Sequence, residues 1–209
     1  MIIGIAGKIG AGKDTVGKLM QKMIIEHVDE VWEIRKFASK LKMIASIITG
    51  VPIHYFEDQE FKNQEMEVEW DWNHELVKHD DQMILSRGRV QLEDRRKKYT
   101  YREFLQRLGT EAMRDGIHQD VWVNALFANY ADDQKWIVTD MRFPNEYEAI
   151  ESAGGLLIKV DRTVSDSQHA SETALDNHKF KYVIDNTRDY DEEYLKSQIK
   201  DILILENII

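Results

Sequence analysis

The sequence predicts an α/β fold: a mostly parallel central sheet with helices on both faces, in three layers. Three observations predict it. Short apolar runs recur along the chain, helical segments lie between them, and charged residues collect just after the runs. Strands that alternate with helices build a parallel sheet covered on both sides. Ligands of such sheets sit at the carboxyl ends of the strands.

The elements follow in order. Ile2–Ala6 (IIGIA) is a short apolar run ended by glycine, as a buried central strand should be. Asp14–Val28 places Val16, Leu19, Met20, Met23 and Ile24 on one helical face. Val31–Phe37 alternates apolar and polar residues and reads as a second strand. Ala38–Thr49 reads as a helix, closed by Gly50 as its C-cap. The stretch 51–98 is rich in charge, holds Trp70 and Trp72, and reads as an insertion of mixed structure. Tyr101–Met113 and Asp120–Tyr130 read as two helices separated by Gly116. Trp136–Thr139 is a strand that ends at Asp140, and Pro144–Ala153 a helix with proline in its first turn. Gly155–Val160 and Tyr182–Asp185 are further strands, and Tyr190–Leu205 a closing helix. The 209 residues suit a single domain, residues 1–209, with the insertion at about 51–98.

Composition narrows the function. With 43% hydrophobic and 32% charged residues the chain has the make-up of an ordinary globular protein. It has no cysteine, so disulfides, thiolate metal sites and cysteine nucleophiles are excluded. No apolar run approaches the roughly 20 residues of a membrane span. Met1–Lys8 is apolar but short and runs into a glycine loop, so it reads as a first strand and not a signal peptide. A cytoplasmic location is the resulting expectation. A net charge of −10 argues against a general nucleic-acid surface but allows a local basic cleft. The seven histidines show no metal-ligand spacing.

The strongest motif is Gly7-Lys8-Ile9-Gly10-Ala11-Gly12-Lys13-Asp14-Thr15, between the first strand and the first helix. Glycines let the backbone turn tightly and point successive N–H groups at phosphate oxygens. The helix N-terminus adds a positive dipole end. Gly7, Gly10, Ala11, Gly12 and Lys13 are therefore expected to hold a nucleotide, with Lys13 reaching the β- and γ-phosphates. Asp14 stands where serine or threonine usually contacts magnesium. Either Asp14 holds the metal, directly or through water, or it caps the helix while phosphates and water hold the metal. Thr15 would then bond an α-phosphate oxygen.

Other strand ends carry further candidates. Asp140 sits where phosphate-loop enzymes place a second acidic group that orients magnesium. It could equally cap a helix, and Arg142 could pair with Glu146. Arg35, Lys36, Phe37 and Lys42 lie on the edge where a dianionic acceptor would need cations. Arg102, Gln106, Glu111 and Arg114 run along the next helix, and Arg107 and Arg114 share a face if that helix continues through Gly109. Arg162 follows the fourth strand, placed to stack on a base or touch phosphates.

Five stretches, GKIGAGKDT at 7–15, FASKLK at 37–42, LQRLGTEAMRDGIHQDVWVNAL at 105–126, VTDMRFPNE at 138–146 and SETALD at 171–176 with YVIDN behind it, together resemble the deoxynucleoside monophosphate kinases of tailed bacteriophages. The phosphate loop alone is shared by many folds; its combination with LQRLGTE, DVW and TDMRFPNE is far more specific. Aspartate after the lysine is itself usual in that family. The resemblance implies the P-loop kinase fold, ATP and Mg2+ as cosubstrates, and conversion of a deoxynucleoside monophosphate to the diphosphate. It implies that Lys13 binds the ATP phosphates, that Arg162 lies near ATP, and that Asp140 and Arg142 sit at the reaction centre; the residue reading adds Lys13 and Arg114 as catalytic candidates and Asp14 and Asp140 as metal candidates. The resemblance assigns Phe37, Lys42, Gln106, Gly109, Thr110, Glu111 and Arg114 to the acceptor. Partners would be small nucleotides, with no nucleic acid or membrane, a homodimer being allowed, and the host cytoplasm as location for a phage product. The rivals are a dephospho-coenzyme A kinase, a nucleotide-binding module without catalysis, and a plain interaction protein.

Overall fold

A computed structural model describes residues 1–67, 99–162, 174–187 and 191–209. Most of the expected insertion at 51–98, with Trp70 and Trp72, lies outside the described residues, as do His74, His79, His169, the start of SETALD and Tyr190. The chain divides into two compact units, Met1–Lys40 with Asp120–Ile209, and Leu41–Gln119.

Among the described residues the first unit is built on five parallel strands: β1 (Ile2–Ala6), β2 (Glu33–Arg35), β3 (Trp136–Met141), β4 (Leu156–Asp161) and β5 (Tyr182–Asp185). Their order is β2-β3-β1-β4-β5, so the strand that feeds the phosphate loop lies at the centre. Every residue of β1 is buried, which is why its sequence is a continuous apolar run and not an alternation. Ile3 aligns with Ile137 on one side and Leu156 on the other.

Helices α1 (Lys13–Val28) and α7 (Glu192–Leu205) cover one face. Val16, Met20 and Ile24 of α1 and Leu195, Ile199, Ile202 and Leu203 of α7 join Ile3, Ile5, Ile137, Ile158 and Ile184 in one core. The opposite face carries α6 (Pro144–Ser152), whose fully buried Ile150 packs on Gly4 and Leu157. These are the three expected layers. Alternate residues of β1 thus serve opposite faces, as the two-residue period of a strand requires.

The strand β2 is shorter than the alternation in Val31–Phe37 suggests. It is an edge strand paired only with β3, Val31 is 77% exposed, and the chain leaves the ladder at Lys36 to start α2 (Ala38–Thr49). Gly50, at φ 73°, closes α2 with its amide on Ser46 O at 2.9 Å. The short helix α5 (Val121–Phe127) follows the second unit, and Asp120 before it accepts a 2.8 Å bond from the Asn145 amide.

The second unit holds the C-terminal part of α2, a 3₁₀ turn at Ile53–Glu57, the short α3 (Gln59–Lys62) and α4 (Tyr101–Arg107). Thr100 and Glu103 form a reciprocal capping box at the start of α4. Ala45, Phe56 and Leu105 are its buried centre, with Phe61 stacked on Tyr101 at 4.4 Å between ring centroids. Tyr101–Met113 is not one α-helix. From Leu108 to Asp115 the chain is wound as a π-helix, and the His118 amide reaches back five residues to Met113 O at 3.0 Å. Seven-residue spacing therefore does not return Arg114 to the face of Arg107. Among the described residues no helix is long and apolar enough to cross a membrane.

Candidate active site

The phosphate loop leaves the C-terminal end of β1, the central strand. Gly7, Gly10 and Gly12 take positive φ values of 154°, 78° and 96°. The Ala11 amide closes the turn on Lys8 O at 3.1 Å. Gly12 is the N-cap of α1, in left-handed conformation, and no side chain caps the helix. A Cβ there would stand 2.6 Å from Asn186 Nδ2, which donates to Ala11 O at 2.8 Å. The backbone angle at position 12 therefore calls for glycine.

Lys13 opens α1 and is only 8% exposed. Its ammonium folds back over the loop and donates to Gly7 O at 2.5 Å and Lys8 O at 2.8 Å. The two carbonyl oxygens satisfy donors of this buried ammonium at the loop. Thr15, two residues on, is exposed.

The Asp14 carboxylate faces away from the helix-capping position. Thr139, 1% exposed in β3, donates its hydroxyl to Asp14 Oδ1 at 2.5 Å. Lys36 Nζ stands 3.0 Å from Oδ1 and 3.1 Å from Oδ2. Asp140, next in β3, accepts the Phe37 amide at 2.8 Å on one oxygen and the Ala38 amide at 2.9 Å on the other. It therefore caps α2 across more than a hundred residues of chain. Carboxylate and hydroxyl oxygens are the donor types magnesium prefers, so the residues at this strand end fit that ion. Among the described residues no group of three or more His, Asp or Glu is gathered to hold a metal by protein atoms alone.

The remaining candidates fall as follows. The backbone N–H of Arg142 donates to Glu146 Oε2 at 2.8 Å, Phe143 N to the same oxygen at 3.2 Å, and Glu146 is 2% exposed. The expected Arg142–Glu146 pairing is thus made by the main chain. Arg162 is half-buried at the end of β4, and Phe37 is buried. Arg35 pairs with Glu33 and lies 5.2 Å from the centre of the Trp136 ring, so it braces the sheet edge.

In the second unit, Lys42 pairs with Glu57 at 2.7 Å. Gln106, Thr110 and Glu111 are exposed, and Gly109 is buried against Leu41. Arg114 is 9% exposed and donates to Gln119 O at 3.3 Å, whereas Arg107 pairs with Glu111 at 3.0 Å.

Sequence reading missed Thr139 and Asn186. Thr139 looked like one more strand residue; a hydroxyl inside a fully buried run was the available signal, since buried hydroxyls need partners. Asn186, directly after β5, sits at another strand end, where ligand-side residues collect.

The comparisons with known proteins agree with this geometry. A family model described as deoxynucleotide monophosphate kinase matches residues 39–199, more than half of the chain. A protein of Acanthamoeba polyphaga mimivirus named "Putative deoxynucleotide monophosphate kinase" is 32% identical over 111 residues, which cover 46% of this chain and 58% of that protein. The chain thus spans little more than half the length of that relative. The deoxynucleoside-5'-monophosphate kinase of Escherichia phage T5 is 25% identical over 218 residues, covering 84% of this chain and 85% of its own. With a glycine loop on the central strand of a parallel sheet and a family match over most of its length, the chain belongs to the deoxynucleotide monophosphate kinase family, a family of nucleotide kinases.

Proposed function

We propose that the protein transfers the γ-phosphate of ATP to a deoxynucleoside 5'-monophosphate, releasing the diphosphate and ADP. The observation that carries this reading is the loop at residues 7–13: three positive-φ glycines, a buried Lys13 ammonium turned onto the loop, and a helix that starts without a side-chain cap. That arrangement suits a polyphosphate. The family description and the phage relative's name support the acceptor class.

Phosphoryl transfer asks the protein for positioning and charge neutralisation. In this reading Lys13 moves from the Gly7 and Lys8 carbonyls to the β- and γ-phosphates, and the loop amides hold the same oxygens. Magnesium, when bound, neutralises charge on those oxygens, with Asp14 and Asp140 holding it or its waters. Arg142 and Arg114 balance charge on the transferred group, and Arg162 supports the nucleotide. Phe37, Lys42, Gln106, Gly109, Thr110 and Glu111 take the acceptor. Most of these lie in the unit 41–119, which supports reading that unit as the acceptor-binding part of one kinase domain. A small, soluble, cytoplasmic enzyme is consistent with this role, alone or as a homodimer.

The test is a coupled assay with ATP and magnesium over dTMP, dGMP, dCMP, dAMP and dephospho-coenzyme A. Turnover of at least one deoxynucleotide, and none of dephospho-coenzyme A, is the expected result. ATP binding by calorimetry with no product from any acceptor would replace the enzyme reading with a binding module. Lys13→Ala should lower kcat by roughly 10²–10³-fold, the loss on removing one preorganised donor. Full activity in that variant would end the assignment.

A further inference from the structure

We propose that Thr139 is a positioning residue for Asp14, and that Gly17 is the notch that makes this possible. The inference rests on the reading above that the loop takes ATP with magnesium.

The geometry begins in β3. Its register against β1 slips between Gly4, opposite Val138, and Ala6, opposite Met141. One extra residue is accommodated there, so Thr139 and Asp140 together oppose Ile5. Such bulges re-aim side chains, and here two successive residues both reach the ligand end of the sheet. Thr139 is 1% exposed, so its hydroxyl must find a partner inside the protein. It finds Asp14 Oδ1 at 2.5 Å.

The other branch of Thr139 decides its rotamer. Its methyl Cγ2 lies 2.4 Å from where a Cβ on Gly17 would stand. No real side chain tolerates that approach, so the methyl occupies the space left by the glycine. A β-branched side chain with its methyl lodged there has one χ1 available, and that rotamer sends the hydroxyl to the first turn of α1. On its other side Asp14 meets Lys36 at 3.0 Å. The carboxylate still keeps 55% of its side-chain surface exposed, so it is steered without being buried. In the usual loop a hydroxyl directly follows the lysine. Here a carboxylate follows it, and the hydroxyl arrives from β3 to hold that carboxylate in one orientation.

The experiment is calorimetric titration of ATP with and without magnesium, on wild type and on Thr139→Val, Thr139→Ser and Asp14→Asn. Thr139→Val keeps the methyl in the notch and removes only the donor. It should lose about tenfold or more of the magnesium-dependent gain in ATP affinity, with metal-free affinity changed by less than about twofold, as for loss of a residue that orients a metal ligand. Thr139→Ser should keep the gain, and Asp14→Asn should lose it. An unchanged gain in Thr139→Val or in Asp14→Asn, or a Thr139→Ser as poor as Thr139→Val, would overturn the proposal. If wild type binds ATP with a magnesium gain and the variants match it, only the proposal falls. If wild type binds no ATP, the reading of the loop falls and takes the proposal with it. Should Thr139→Val fail to fold, Gly17→Ala supplies the second arm. It displaces the Thr139 methyl and should lose the gain, and Gly17→Ala with Thr139→Ser should restore it; no restoration would overturn the proposal as well.

Discussion

A single hydrogen atom at Gly17 separates a fitted helix–sheet contact from a clash. The Cβ of an alanine there would sit 2.4 Å from Thr139 Cγ2, with Ile137 and Ile5 at ordinary contact distances of 3.4 and 3.7 Å. Overpacking a tight core costs about 1–3 kcal/mol. Alanine offsets part of this, because glycine inside a helix is about 1 kcal/mol worse than alanine. Gly17→Ala should therefore lower the unfolding free energy by up to about 2 kcal/mol in denaturant titration. In a Thr139→Ser background the obstructing methyl is gone, and the same substitution should be neutral or stabilising. Equal effects in both backgrounds would show that Thr139 is not what Gly17 accommodates. The same reasoning explains why two residues of the candidate site escaped sequence reading. Thr139 and Asn186 act through groups brought to them by folding, Asp14 and the Ala11 carbonyl, from 125 and 175 positions away. Lys13 and the glycines were legible because their partners are their own neighbours.

Elements were legible in proportion to how far burial alone determines them. Ile2–Ala6 has the expected bounds because a strand inside a covered sheet must be apolar end to end or nearly so; Tyr182–Asp185 also has its expected bounds, although it is an edge strand with Val183 57% exposed. The edge strand β2 and the π-helix at Leu108–Asp115 were not legible. One depends on where the ladder stops, and the other on a hydrogen-bond frame that a 3.6-residue period cannot report. The end of α7 shows how an element is tied down beyond its apolar face. Glu206, just past α7, accepts from Lys181 at 3.0 Å and from the Tyr182 hydroxyl at 2.5 Å, joining the helix to β5. The Lys181 and then the Tyr182 hydrogen bonds hold its carboxyl below the usual carboxylate range, against a smaller opposing effect of burial. A depressed folded pKa contributes stability above the unfolded value of 4.5 and loses it as pH falls through the folded value. Glu206→Gln should therefore melt below wild type at pH 7, and the gap should close on acidification below about pH 4. A gap that stays constant down to pH 3 would show that the charge on Glu206 is not what stabilises this corner.

At the scale of the whole molecule, the chain assigns its candidate residues to two units, and this division makes its own prediction. The loop, Asp14, Asp140, Arg142, Arg162 and Asn186 belong to the unit with the sheet, and Lys42, Gln106 and Arg114 to the unit 41–119. Apart from Asn186, the first group was foreseeable, since β1, β3 and β4 each deliver a candidate from the same strand end. The second group rests on helices and turns without such a rule; spacing singled out Lys42, Gln106 and Arg114 as candidates, and the resemblance to the kinase family assigned them to the acceptor. If the units divide the labour as proposed, single substitutions should separate the two substrates kinetically. Asn186→Ala removes the amide that bonds Ala11 O at 2.8 Å, loosening the loop while leaving Lys42 and Glu57 untouched. Its KM for ATP should rise by about 3–10-fold, the value of one neutral hydrogen bond of about 1 kcal/mol, with the acceptor KM unchanged. Lys42→Ala removes a cation whose side chain is 13% exposed and paired to Glu57. Its acceptor KM should rise by about tenfold or more, as for a charge-assisted bond of about 1.5–3 kcal/mol, with ATP affinity unchanged. The two losses should multiply in the double variant, because groups with no shared partner contribute additively in free energy. If either substitution moved both constants together, each unit would be serving both substrates, and the division of labour would have to be abandoned.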